Sequence, residues 1–156
     1  NIAYILEVLS HMDSHLPQIW NSNMYLSKDG MNLLAKLMDV YLTDFKYGND
    51  ECAERLSGIK NYTDIVKRNH KIAEKTGDLI IRHLVLPNHI ECCTIPLMEW
   101  IDEELSSRTV NIMTQYRPSY HSNEYLEIDR YLNKREIKTI RTLKKDYSHL
   151  SSKEFR

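Results

Sequence analysis

Residues 79–87 read Leu-Ile-Ile-Arg-His-Leu-Val-Leu-Pro, an almost continuous apolar run bounded by Gly77 before it and Pro87 at its end. The run is too short for a typical helix and too continuous for a half-exposed strand. It predicts an inner strand of a parallel sheet covered on both faces. Three other segments carry the same β-branched and aromatic character: residues 18–25 (QIWNSNMY), 39–47 (DVYLTDFKY) and 109–116 (TVNIMTQY).

Helical patterns separate them. Ile2, Ile5, Leu6, Leu9, Met12 and Leu16 recur at helical spacing up to Pro17, and Leu33, Leu34, Leu37 and Met38 form a second apolar stripe. A third helix is predicted from Asn61, as an N-cap with Asp64 three residues on, to Gly77, with Ile65, Val66, Ile72 and Ala73 on its inner face. Thr94 and Pro96 open a fourth, through Trp100 to Leu105. Strands alternating with helices predict an α/β fold of parallel strands joined by right-handed crossovers. Beyond Pro118 a polar loop leads to a last helix near Asn133, with Ile137, Ile140, Leu143 and Tyr147 on one face. The expected division is therefore 1–132 for the α/β part and 133–156 for a C-terminal amphipathic helix and tail packed on it. The chain begins at Asn1, directly inside a helical pattern, which is the expected look of a cut end.

Composition narrows the function. A formal net charge of −1 and a pI near 6.7 argue against partners that are nucleic acids or anionic membranes. No run approaches the roughly 20 apolar residues that cross a bilayer, and Cys52, Cys92 and Cys93 make no even-numbered disulfide framework. The expected location is the reducing cytoplasm. Four glycines in the whole chain leave no room for a Gly-rich phosphate loop.

In parallel α/β proteins active sites lie at the C-terminal ends of the strands. The polar residues there are Asn21, Ser22 and Asn23; Asp44 and Lys46; Arg82, His83, Asn88 and His89; and Gln115 and Arg117. Val40, Leu42, Asp44 and Lys46 share one face of their strand, which begins apolar and ends charged. The two charges are expected to pair with each other, with a neighbouring strand or with a ligand, because an unpaired buried charge is costly. Arg82 and His83 face opposite ways. Arg82 is expected inward, where its planar fork suits a carboxylate, and His83 beneath the helices as a satisfied core residue. Asn111, Met113, Gln115 and Arg117 are likewise placed inward. The adjacent Cys92 and Cys93 lack the spacing of ordinary zinc or cluster ligands, and Cys52 is remote in sequence, so no metal site is expected within this chain.

Three segments, TDFKYGNDECAERLSGIKNY, DLIIRHLVLPNHIECC and VNIMTQYRPSY, resemble stretches of radical S-adenosylmethionine proteins related to pyruvate formate-lyase activating enzyme. The likeness runs from about Trp20 to about Asp129. It implies a partial TIM-like (β/α) barrel, truncated here on its N-terminal side, that holds S-adenosylmethionine beside a [4Fe–4S] cluster and generates a 5′-deoxyadenosyl radical. Activation of a glycyl radical protein is one use of that radical among several. By the resemblance, Asn21, Ser22 and Asn23 match the family's Asp-Thr-Asn beside the cofactor. Asp44 and Lys46 match its Asp-x-Lys, Arg82 an inward arginine, and Arg117 a cofactor-contacting histidine, with Gln115 on the same face. Asn21 stands in place of an acid and Met24 in place of a glycine.

The family's cluster motif, C-x-x-x-C-x-x-C, is absent from these 156 residues. The cluster is expected only with a preceding N-terminal part of the same barrel, which is the first partner implied, and the chain alone is expected to be inactive. No catalytic residue is assigned. Two alternatives stand beside this reading: a cluster-less ligand-binding or scaffold module, and a barrel aldolase or isomerase using Lys46 as a Schiff-base amine.

Overall fold

The structure is a computed structural model that describes residues 2–12 and 15–150. Among those residues, four strands form one parallel sheet in the order β1 (Ile19–Ser22), β2 (Val40–Asp44), β3 (Asp78–Leu84) and β4 (Thr109–Met113). Six α-helices accompany them: α1 (Ile2–Ser10), α2 (Lys28–Leu34), α3 (Asp50–Ser57), α4 (Tyr62–Thr76), α5 (Ile95–Glu104) and α6 (Lys134–Asp146). The α/β alternation is thus present, and the sheet is open, with β1 and β4 at its edges.

Burial alternates strictly along the strands. Tyr41, Thr43 and Phe45, then Leu79, Ile81, His83 and Val85, then Val110 and Ile112 are buried under the helices. The residues between them, Val40, Leu42 and Asp44 on β2 and Ile80, Arg82 and Leu84 on β3, are only half-buried. The expectation that the 79–87 run is covered on both faces is therefore corrected. One face packs on the core, and the other carries apolar side chains that nothing in the described chain covers fully.

Element ends differ from the sequence reading for local reasons. The first helix stops at Ser10 rather than running to Pro17, and residues 13 and 14 lie outside those described. The second ends at Leu34; Leu34 and Met38 are buried as read, while Leu33 and Leu37 are exposed and Gly30 and Met31 take their places in the core. Helix α3 was not anticipated, although Asn49 caps its first turn through Cys52 N–H (2.8 Å) and Gly58 ends it with φ of 65°. Asn61 is not a side-chain cap. It adopts φ of 52°, and Asp50 instead accepts from the Thr63 N–H (2.7 Å) and hydroxyl (2.8 Å) in the first turn of α4. The last strand ends at Met113, which leaves Gln115 and Arg117 beyond it. Helix α6 begins as read, with Asn133 and Glu136 forming a reciprocal capping box, and Ile140 is fully buried in the common core.

Two buried histidines tie the helices to the sheet. His70 donates from Nδ1 to the Val66 carbonyl (2.8 Å) and accepts at Nε2 from the Thr43 hydroxyl (2.8 Å). His83 donates from Nδ1 to the Phe45 carbonyl (2.8 Å) and accepts at Nε2 from Thr94 (2.9 Å). Both rings have both nitrogens engaged, so His83 is the satisfied core residue that its position on β3 suggests.

Burial pulls both imidazoles down from 6.5 to about 4. They are then neutral in the folded chain down to about pH 4 and charged in the unfolded chain below about pH 6.5. Between those limits the unfolded state binds more protons, so stability falls with acid by up to about 1.4 kcal/mol per pH unit for each ring. Above about pH 6.5 neither contributes a slope. Urea unfolding between pH 7 and 4.5 should show the midpoint falling steeply, and His83→Gln should remove about half of that dependence. A midpoint that does not move over this interval would sink the assignment.

Candidate functional site at the strand ends

Arg82 stands on the half-open face of β3 and lies across β2. Its Nε–H donates to Asp44 Oδ1 (2.8 Å) on the neighbouring strand, and its Nη2 donates to Asn21 Oδ1 (2.7 Å) on β1. The register explains the reach, because Asp44 pairs directly with Arg82 and Asn21 lies on the same face two strands away. Of the three partners expected for Asp44, a neighbouring strand is the one observed. Arg82 keeps 27% of its side-chain surface exposed and Asp44 33%, so a ligand can still reach both. Because Asn21 is an amide, the group sets one cation against one anion.

The next residues of β1 shape the turn. Ser22 Oγ accepts from Met24 N–H (3.0 Å) and Asn23 Oδ1 from Tyr25 N–H (3.1 Å). Met24 takes φ of 60°, a left-handed conformation in which glycine is at ease and methionine is strained by about 1–2 kcal/mol. The loop therefore takes a shape that a glycine would adopt without strain. The buried Asn69 holds it by donating from Nδ2 to the carbonyls of Met24 (2.8 Å) and Leu26 (2.9 Å). The remaining expected residues are not drawn into the group. Lys46, Gln115 and Arg117 are exposed, and Lys46 is fixed only through its backbone N–H, which donates to the Tyr62 hydroxyl (2.9 Å).

Behind this edge the structure brings together residues that sequence reasoning kept apart. Cys52, at the start of α3, meets His89, Cys92 and Cys93, and one donor atom from each lies within 4.8 Å of the others. His89 Nδ1 is 3.3 Å from Cys92 Sγ, 3.5 Å from Cys52 Sγ and 4.0 Å from Cys93 Sγ. Cys92 Sγ is 3.8 Å from Cys52 Sγ and 3.9 Å from Cys93 Sγ. All three thiols are free. Burial raises the pKa of Cys92 and Cys93 and lowers that of His89, which favours the neutral form of these three.

Local backbone features produce the convergence. Asn88 turns the chain after Pro87 with φ of 63°, held by its N–H on Glu136 Oε1 (2.8 Å) and by Arg130 on its side-chain oxygen (3.0 Å). Residues Ile90–Thr94 then form a single π-turn, in which Thr94 N–H reaches back to the His89 carbonyl (3.1 Å). Positions 89, 92 and 93 stand at i, i+3 and i+4, so this helical turn presents all three side chains on one side. The loop after β2 closes on it. Asn49 accepts from Cys52 N–H and donates from Nδ2 to the Cys92 carbonyl (2.7 Å), which clamps the two segments together. Gly48 lies so close that a β-carbon there would sit 2.5 Å from the Cys93 carbonyl oxygen and 2.7 Å from its Cα.

Because those contacts are backbone, they cannot swing aside. Gly48→Ala should therefore destabilise the protein by about 1–3 kcal/mol and make the thiols more accessible. Urea unfolding together with the rate of thiol labelling checks both, and an unchanged midpoint with unchanged labelling would contradict this close approach.

Comparison with known proteins gives little to set beside this geometry. No family model matches the chain. An uncharacterized protein of Methanocaldococcus jannaschii is 51% identical over 148 residues, an alignment covering 95% of this chain and 44% of the relative. The chain thus spans less than half the length of the curated relative it matches.

Proposed function

We propose that this chain is the C-terminal portion of a radical S-adenosylmethionine enzyme of the activating-enzyme type, a partial barrel that works in the cytoplasm. The observation that carries the reading is the convergence of Asn21, Asp44 and Arg82 on one face at the C-terminal ends of three parallel strands. That is where α/β sheets bind ligands. Opposite charges side by side suit a ligand that bears both an ammonium and a carboxylate, as the methionine end of S-adenosylmethionine does.

The half-open face supports the same reading. Parallel sheets are almost always covered on both sides, and Leu42, Ile80 and Leu84 face outward only half-buried. On the edge strand β1, Ile19 is exposed, as are Tyr4 and Val8 on α1. A barrel completed by further strands next to β1 would cover both surfaces, and the greater length of the archaeal relative leaves room for them. The cluster belongs to that further segment. Its C-x-x-x-C-x-x-C ligands are absent from this sequence, and the three thiols here face one point rather than the separate irons of a cluster.

With the cluster and S-adenosylmethionine bound, the cofactor pair supplies a 5′-deoxyadenosyl radical. This chain's residues bind and orient: Arg82 and Asp44 take the charged end of the cofactor, and the Ser22–Met24 turn shapes the wall beside it. A glycyl radical protein is one substrate that such an enzyme serves. The exposure of Lys46 among the described residues gives no support to a Schiff-base aldolase, which works with a buried amine.

Calorimetry on the full-length protein tests the reading. Asp44→Asn and Arg82→Ala should each weaken S-adenosylmethionine binding about tenfold or more, the loss of one charge-assisted contact, without changing the far-UV circular dichroism. Equal affinity in both variants and wild type would overturn the strand-end site. Absence of iron together with absence of S-adenosylmethionine binding would overturn the whole reading in favour of a cluster-less module.

A further inference from the structure

We infer that Cys52, His89, Cys92 and Cys93 form a closed, structural site for a single zinc ion, which staples the loop after β2 to the turn after β3. The inference does not depend on the radical chemistry proposed above. It rests on the shape of the donor set. A tetrahedral zinc ion with bonds of about 2.3 Å to sulfur and about 2.0 Å to nitrogen spaces its ligands at about 3.8 Å between sulfurs and about 3.5 Å between sulfur and nitrogen.

The measured separations follow that figure. Two of the three Sγ–Sγ distances are 3.8 and 3.9 Å, the third lies within 4.8 Å, and the three Sγ–Nδ1 distances are 3.5, 3.3 and 4.0 Å. Five of the six edges among the four donors are therefore already close to those of a zinc tetrahedron. Hydrogen bonding among the four gives no comparable reason for the arrangement. His89 Nδ1 has one lone pair and can accept from only one of the three thiols around it. A polynuclear cluster does not fit either, since its thiolates bind separate irons and stand farther apart.

The surroundings have the character of a ligand's outer shell. His89 is 4% exposed, and its Nε2 has no hydrogen-bond partner. That nitrogen faces Glu127 Oε1 at 4.0 Å, and Glu127 is itself ion-paired with Arg55. A metal-bound imidazole uses this disposition, one nitrogen on the ion and the other N–H turned to a carboxylate. Gly48, Asn49 and the π-turn fix the backbones that carry the thiols.

Zinc is the class of ion that these donors select. Three soft sulfurs and one imidazole in tetrahedral array suit it, whereas magnesium and calcium require oxygen ligands. Four protein donors leave no open position, which marks a structural rather than a catalytic site. On binding, the three thiols lose their protons to solvent and the imidazole stays neutral, with its proton on Nε2. The site then carries one net negative charge, and the Arg55–Glu127 pair places a cation nearby.

Zinc analysis and X-ray absorption on the purified protein, kept reduced and supplied with zinc, test the inference. The expected result is about one zinc per chain, with a shell of three sulfurs at about 2.3 Å and one nitrogen at about 2.0 Å. Cys92→Ser and Cys52→Ser should each lower zinc retention at least tenfold. Should those variants fail to fold, cobalt titration of the wild-type protein decides instead, through the visible absorption of tetrahedral thiolate-bound cobalt. A shell of nitrogen and oxygen only, three free thiols with no zinc retained, or a Cys52–Cys92 disulfide in the freshly isolated protein would overturn it.

Discussion

The pleat of β3 sends Arg82 and His83 to opposite faces of the sheet, and the two halves of the molecule are organised around that division. Below the sheet, His83 takes the Phe45 carbonyl at the end of β2 and the Thr94 hydroxyl at the head of α5. Above it, Arg82 takes Asp44 and Asn21. One strand therefore fixes the relative height of β1, β2 and α5 from both sides. Its buried half is the stronger, because an imidazole with both nitrogens satisfied in an apolar core cannot give up either bond to water. A half-buried ion pair still open to solvent, like that of Arg82, is worth about 1 kcal/mol on its own. The geometry of the open face is therefore set mainly from underneath.

This asymmetry explains why the strands were legible in the sequence and their covering was not. A β-branched, aromatic run bounded by Gly77 and Pro87 identifies β3 whatever lies above it. Whether its second face is covered depends on chain that the run does not encode. The apolar half-buried positions, Leu42, Ile80 and Leu84, read as core because they are chemically suited to be covered. Asn21, Asp44 and Arg82 were legible for a related reason. Polar residues late in consecutive parallel strands must meet along one edge if they share a face, and register only decides which pairs touch.

The thiol group was passed over because ligand-spacing rules such as C-x-x-C look for paired cysteines. His89, Cys92 and Cys93 stand instead at i, i+3 and i+4, the spacing by which one helical turn brings side chains to one side. Cys52, 37 residues before His89, arrives through helix α3, which a reading of apolar stripes passes over because half of that helix is charged. The signals that could have found it were its ends: Asn49 as the cap and Gly58 as the stop. Met24 gives the reverse lesson. Nothing in its side chain announces a left-handed turn, yet the backbone takes one, since Asn69 and the core around Met24 hold it there.

Asp44 is where the two regions meet. The five residues after it are pinned in succession: Phe45 by its carbonyl on His83, Lys46 by its N–H on Tyr62, Tyr47 by its hydroxyl at 2.5 Å from that of Ser57, Gly48 by contact with Cys93, and Asn49 by its two bonds to the thiol-bearing segments. Such a succession leaves little freedom for the carboxylate that precedes it. The pairing with Arg82 does not have to supply the positioning, and it can be opened by a ligand without the strand end moving. A site that must exchange an internal ion pair for a ligand needs that property: weak at the contact and rigid in the backbone that presents it.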